Sequence, residues 1–200
     1  MTTITIIQMN YKNIVKKLFE ESISSIVESK KLSDQISIAV DTIVKGYRNG
    51  GKVIVFGNGG SAADSQHLAA ELVGRYQFER ESLPAIALTT DTSIITALGN
   101  DYGFEYVFSR QCESLVKKND IVIAISTSGK SQNVINAIRT CKKIGAITIG
   151  LTGMGGGSLK QLTDINLIVD SKSTPRIQEV HRIIIHIICD LVEQSLKNTR

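Results

Sequence analysis

The chain has 200 residues, 42% hydrophobic and 21% charged, with two prolines, ordinary globular composition for about one domain that excludes a disordered or fibrous chain. Its 23 basic and 19 acidic residues leave a formal charge of +4, and they are scattered instead of gathered into a basic stripe. With no Trp and no arginine run among aromatics, the footprint of a nucleic-acid binder is missing.

In chain order, the opening segment Met1–Gln8 lacks a basic region, a long apolar region and a small-residue cleavage site, so it does not read as a signal peptide. Residues 10–30 and 32–48 carry apolar residues at helical spacing: Ile14, Leu18, Ile23, Ile26 and Val27, then Ile36, Ile38, Val40, Ile43 and Val44. They read as two amphipathic helices. From Lys52 the texture changes to short apolar runs at 53–56, 85–88, 121–125, 146–151 and 165–169, each followed by small polar residues and a helical pattern. Continuous apolar runs suit strands covered on both faces, so the expectation is an α/β fold with a five-stranded parallel sheet flanked by helices. No linker or repeat divides the chain. It reads as one domain, 1–200, with helices over 1–50 and an α/β core over 51–200. The longest nearly apolar stretch, Ile183–Cys189, is interrupted by His186 and far short of the roughly 20 residues a spanning helix needs. No membrane partner is expected, and the chain should be cytoplasmic. Cys112, Cys141 and Cys189 have no CxxC spacing and read as packing residues, not as a disulfide framework or a cysteine zinc cluster.

In a parallel sheet ligands sit at the carboxyl ends of the strands. The loop after the first run, Gly57-Asn58-Gly59-Gly60-Ser61, is a glycine-rich turn into a helix, able to bring backbone N–H groups close to an anion. The loop after the third run, Ser126-Thr127-Ser128-Gly129-Lys130-Ser131, packs four hydroxyls and a glycine against a helix predicted over 132–144. A helix N-cap needs one hydroxyl. Four at a helix N-terminus form a donor cradle suited to a phosphate dianion, with Lys130 adding charge.

His67 and Glu71 stand four residues apart in the helix after the first loop, on one face, and suit a borderline divalent ion such as zinc. Gln178, His181 and His186 fall on a helix predicted over 174–197 with an apolar stripe of Ile177, Val180, Ile184, Ile187 and Leu191. Gln178 and His186 lie two turns apart and roughly 80° around the axis, near enough to converge on one ligand. Spacing alone also permits a surface His–Glu pair and a histidine satisfied in the core. Asn100-Asp101, after a helical pattern over 92–98, reads as a turn.

Together, the segments 57–61, 67–76, 99–103, 125–131 and 176–186 resemble the sugar isomerase (SIS) domain family, and within it the phosphoheptose isomerases; the resemblance covers nearly the whole chain. It implies conversion of a ketose, sedoheptulose 7-phosphate, to the aldose D-glycero-D-manno-heptose 7-phosphate through a cis-enediol, supplying heptose for lipopolysaccharide core or capsule. By this resemblance Ser126, Thr127, Ser128 and Ser131 hold the phosphate. Asn58, Gly59 and Gly60 line the sugar site, and Glu71, Asn100, Asp101 and Gln178 touch substrate. One zinc per subunit is bound by His67, Glu71, Gln178 and His186, with Glu71 and His186 as the acid–base pair. A carboxylate held by zinc is a weakened base, so His181 stands in reserve as a further titratable group. The family also implies a homotetramer. Two other readings fit the fold: an adaptor that binds a replication initiator protein, which has no use for the set His67, Glu71, Gln178 and His186, and a phosphosugar sensor without catalysis, which needs no acid–base groups.

Overall fold

In a computed structural model, which describes residues 10–197, the five apolar runs form five strands: β1 (Val53–Gly57), β2 (Ala85–Ala87), β3 (Ile121–Ser126), β4 (Ile147–Gly153) and β5 (Ile165–Val169). The segment Met1–Gln8 lies outside the described residues. All strand pairs are parallel, in the order β2-β1-β3-β4-β5. Every residue of β1 and β3 is buried, because helices cover both faces. Val53, Val55, Ile121, Ile123 and Ile125 point into one core, and Ile54, Phe56, Val122 and Ala124 into the other.

The first core is closed by α2 (Ser33–Arg48), α3 (Gly60–Val73) and α8 (Thr174–Leu196). The second is closed by α5 (Ser109–Leu115), α6 (Gln132–Ile144) and the single turn α7 (Leu159–Leu162). The two leading helices are present as α1 (Tyr11–Glu28) and α2, joined by a 3-10 turn, Ser29–Leu32. On α2, Ile36, Val40, Ile43 and Val44 are buried, but Ile38 lies about 200° around the axis from Ile36 and is exposed. No residue of α1 is buried: its stripe of Ile14, Leu18, Ile23, Ile26 and Val27 is exposed along its length. The helix is tied down where Arg176 donates to the Leu18 carbonyl at 2.6 Å.

Two expectations need correction. The stripe on α8 holds for Ile177, Val180 and Ile184, but Ile187 and Leu191 are partly exposed, while Ile185, Ile188, Cys189 and Val192 are buried in their place. The long helix packs against neighbours on two sides, so its buried surface is broader than one stripe. Asn100 and Asp101 do not form a turn either. They complete α4 (Thr92–Asp101), whose N-terminus is capped by Asp91 accepting from the Ile94 N–H. The three cysteines are free and buried. Among the described residues no helix is long and apolar enough to cross a membrane.

Candidate active site

β1 pairs with β2 on one side and β3 on the other, so the chain changes direction across the sheet between β1 and β3. A crevice opens at such a switch point, at the carboxyl ends of the strands. The register sets Gly57 beside Ile125, which places the glycine-rich loop and the hydroxyl-rich loop next to each other. A reciprocal amide pair fastens them: Asn58 Nδ2 donates to Asn133 Oδ1, and Asn133 Nδ2 to Asn58 Oδ1, both at 2.9 Å. Asn133, buried at the start of α6, was not apparent from sequence, where an Asn one position inside a helix reads as a polar helix start.

The hydroxyls of the loop after β3 are not spent on capping α6. Ser131 occupies the N-cap of α6, yet its hydroxyl makes no capping bond. It lies 3.3 Å from the Ser126 hydroxyl. Ser126 and Ser128 hydroxyls each accept one N–H inside the loop, from Gly129 and Lys130 at 3.2 Å, which leaves their own protons to give. Thr127 and Ser128 are half-buried and Lys130 is exposed. Gly129 has φ +62°, and a Cβ there would run into the Gly156 carbonyl oxygen, so only glycine fits the turn.

The second cluster lies along the seam between α3 and α8. His67 Nε2 faces His186 Nε2 at 2.9 Å, and Glu71 Oε1 lies 3.4 Å from His67 Nε2. All three side chains are half-buried. Burial, with the Arg182 charge and against the pull of Glu71, holds His67 below the ordinary imidazole pKa. Gln178 is not part of this cluster. Its amide lies against Gly60, where a Cβ would strike it, and the Arg182–Asp64 ion pair at 2.5 Å stands between it and the histidines. Eight residues of helix separate Gln178 from His186 by about 12 Å, so within one chain they do not converge on one ion. Gln178 instead sits beside Gly60, at the first loop.

Asn100 and Asp101 bond to each other at 2.8 Å and are exposed; no hydrogen bond among the described residues joins them to the crevice. His181 is fully buried, faces the Thr152 carbonyl oxygen at 3.1 Å, and is pushed down by burial to about 4. It belongs to the core, because a five-residue offset turns it well over 90° away from His186. Among the described residues, no group of three His, Cys, Asp or Glu side chains is arranged as a ready-made metal site. The donors present are two imidazole nitrogens and a carboxylate oxygen, a set whose chemistry suits zinc. A cavity of about 610 Å³ at the opposite end of the strands, lined by Tyr47, Arg48, Arg80 and Pro84 among others, contains none of the expected site residues.

The sheet order and the crevice at its switch point define a parallel α/β protein with a glycine-rich and a hydroxyl-rich loop side by side at the strand ends. Residues 17–153 match the SIS domain family. A phosphoheptose isomerase from Campylobacter concisus is 50% identical over 93% of this chain and 98% of that protein. Solved structures of phosphoheptose isomerases superpose closely. For GmhA from Neisseria gonorrhoeae the TM-score is 0.88 at 41% identity, covering 92% of this chain and 100% of that one. For the Francisella tularensis enzyme it is 0.90 at 38% identity, covering 93% and 100%. The chain belongs to the SIS-domain family, in its phosphoheptose isomerase branch.

Proposed function

We propose that the protein isomerises sedoheptulose 7-phosphate to D-glycero-D-manno-heptose 7-phosphate, in the cytoplasm and as a homotetramer, supplying heptose for lipopolysaccharide core or capsule. The observation that carries this reading is the pairing of an uncapped hydroxyl cradle with the His67, Glu71 and His186 cluster. Seven residues of α3, about 10 Å, separate Gly60 from His67, a span suited to a sugar held by its terminal phosphate with its carbonyl end at the histidines. The exposed apolar stripe of α1 supports subunit contacts. An adaptor or a non-catalytic sensor has no use for the acid–base cluster.

The phosphate accepts hydrogen bonds from Ser126, Thr127, Ser128 and Ser131 and from the free N–H groups at the start of α6, which fixes the sugar at the end remote from the reaction. Asn58, Gly59, Gly60 and Gln178 line the middle of the chain; Asn100 and Asp101 would reach substrate from the end of α4. Glu71 and His186 divide the proton transfers. One takes the proton from C1 while the other protonates the C2 carbonyl oxygen, giving the enediol. The proton is then returned to C2 as the C1 hydroxyl loses its own, leaving the aldehyde at C1. Zinc, one per subunit, would be held by His67, Glu71 and His186, and when bound it supplies Lewis-acid polarisation of the substrate oxygens. Gln178 enters that ligand set by family resemblance alone.

The test is proton NMR of zinc-loaded and chelator-treated protein with sedoheptulose 7-phosphate in deuterated water. The aldose signal should appear, with solvent deuterium at C2. A folded oligomer that yields no aldose with metal present overturns the reading.

A further inference from the structure

The segment between α3 and β2 has no regular secondary structure over residues 74–84, yet it carries Tyr76, whose ring centroid lies 5.7 Å from that of His186. Its conformation is set from α8. Glu193, 1% exposed, lies seven residues beyond His186 and so on the same face of the helix, two turns further on. Its carboxylate accepts three successive backbone N–H groups: from Tyr76 at 2.7 Å, from Gln77 at 3.1 Å, and from Phe78. Arg80 stands beside it, with Nε at 3.8 Å from the carboxylate. The same guanidinium donates to the carbonyl oxygens of Glu71 at 2.9 Å, Gly74 at 3.2 Å and Glu81 at 2.9 Å, closing the C-terminal turn of α3.

A buried carboxylate is a costly way to fill this space, and an apolar side chain of similar size would do at least as well for stability alone. What a carboxylate can do, and a leucine cannot, is hold three consecutive amides in one conformation. Burial raises the Glu193 pKa, but the three amides and Arg80 more than offset that and leave it below the ordinary carboxylate range, so the group is ionised at neutral pH.

We propose that Glu193, with Arg80, is a positioning residue for the acid–base cluster: it locks the 76–78 backbone so that Tyr76 packs on His186 and fixes the imidazole opposite His67. The inference rests on the reading of His186 as an acid–base group, and adds to it a device that sets the ring's orientation from outside the crevice.

Glu193→Gln keeps the shape and removes the charge that holds the three amides. Tyr76→Leu leaves those amides in place and removes the ring. Each variant should lower kcat about tenfold or more with KM for the phosphosugar within about twofold. The double variant should be no slower than the slower single one, because both act by one route. Each should also move the His186 ring signal in proton–carbon NMR spectra, readable in a chain with three histidines, and Glu193→Gln should speed hydrogen exchange at the 76–78 amides. Val192→Ala, a buried neighbour on α8, is the control for general loosening and should lower thermal stability with kcat and the His186 signal unmoved. If Glu193→Gln does not fold, Tyr76→Leu decides alone. Unchanged kcat with an unmoved His186 signal in the folded variants overturns the proposal, as does a Val192→Ala variant that reproduces their behaviour. If the wild type turns over no substrate, the proposed activity fails, and the ring signal and amide exchange still decide whether Glu193 positions His186.

Discussion

Removing one hydroxyl from the loop after β3 separates a ligand cradle from a helix cap. Ser131→Ala is the cleanest choice, since among the described residues its hydroxyl bonds only to that of Ser126, at 3.3 Å, and caps nothing. A hydrogen bond to a charged group contributes about 1.5–3 kcal/mol, and each 1.4 kcal/mol is a factor of ten, so KM for the phosphosugar should rise about ten- to a hundredfold. The phosphate lies away from the reacting carbons, so its loss is uniform binding and kcat should change little. Stability should hardly respond, with the melting midpoint moving by less than about 2 °C, as expected for a half-buried hydroxyl that caps nothing, its loss worth under about 0.5 kcal/mol. The assay is steady-state kinetics beside thermal denaturation, with inorganic phosphate as competitive inhibitor. A cap would give the opposite pattern: about 1 kcal/mol of stability lost and KM unmoved. That pattern would refute the cradle.

Glu71→Gln and His186→Ala should abolish turnover while circular dichroism and the oligomer stay as in the wild type; normal turnover in either variant removes that residue from the mechanism. Acid should weaken the fold through His181, whose folded pKa of about 4 lies below the ordinary 6.5. Between those values the unfolded chain binds the extra proton, so stability falls as pH drops through that window, by about 3 kcal/mol in all. Urea unfolding of the metal-free protein at pH 7 and pH 4.5 should show this loss, and His181→Leu should flatten it; an equal pH dependence in the two would dismiss His181 as the cause. On α1, Leu18→Glu with Ile26→Glu should shift the protein to smaller species in sedimentation velocity while the monomer fold persists, since neither side chain is buried in the subunit; an unchanged oligomer would remove α1 from the interface.

The sheet was legible in the sequence because β1 and β3 are buried on both faces and show it as unbroken apolar runs. The two loops were legible because glycines and hydroxyls clustered after such runs have few purely structural uses. Asn100 and Asp101 misled, since residues that favour turns also end helices, and α4 extends through them to Asp101. Gln178 and His186 share α8, but helical spacing says only which way they face; the partner helix decides what each meets, and α3 presents Gly60 to one and His67 to the other. Glu193 left no local signal at all. An acidic residue near a helix end reads as solvated, and its partners are backbone N–H groups more than 100 positions away, which carry no residue identity.

The two halves of the proposed site are therefore held by different forces. The phosphate end depends on strand register and the Asn58–Asn133 amide pair, all within or directly attached to the sheet. The acid–base end depends on two helices lying side by side in the same direction, matched at successive turns: Gln178 on Gly60, Arg182 on Asp64 at 2.5 Å, His186 on His67 at 2.9 Å. Sliding one helix by a single residue, about 1.5 Å, would break all three matches at once. The Glu193–Arg80 pair stands at the far end of this seam, tying α8 to the last turn of α3 and to the loop that leaves it.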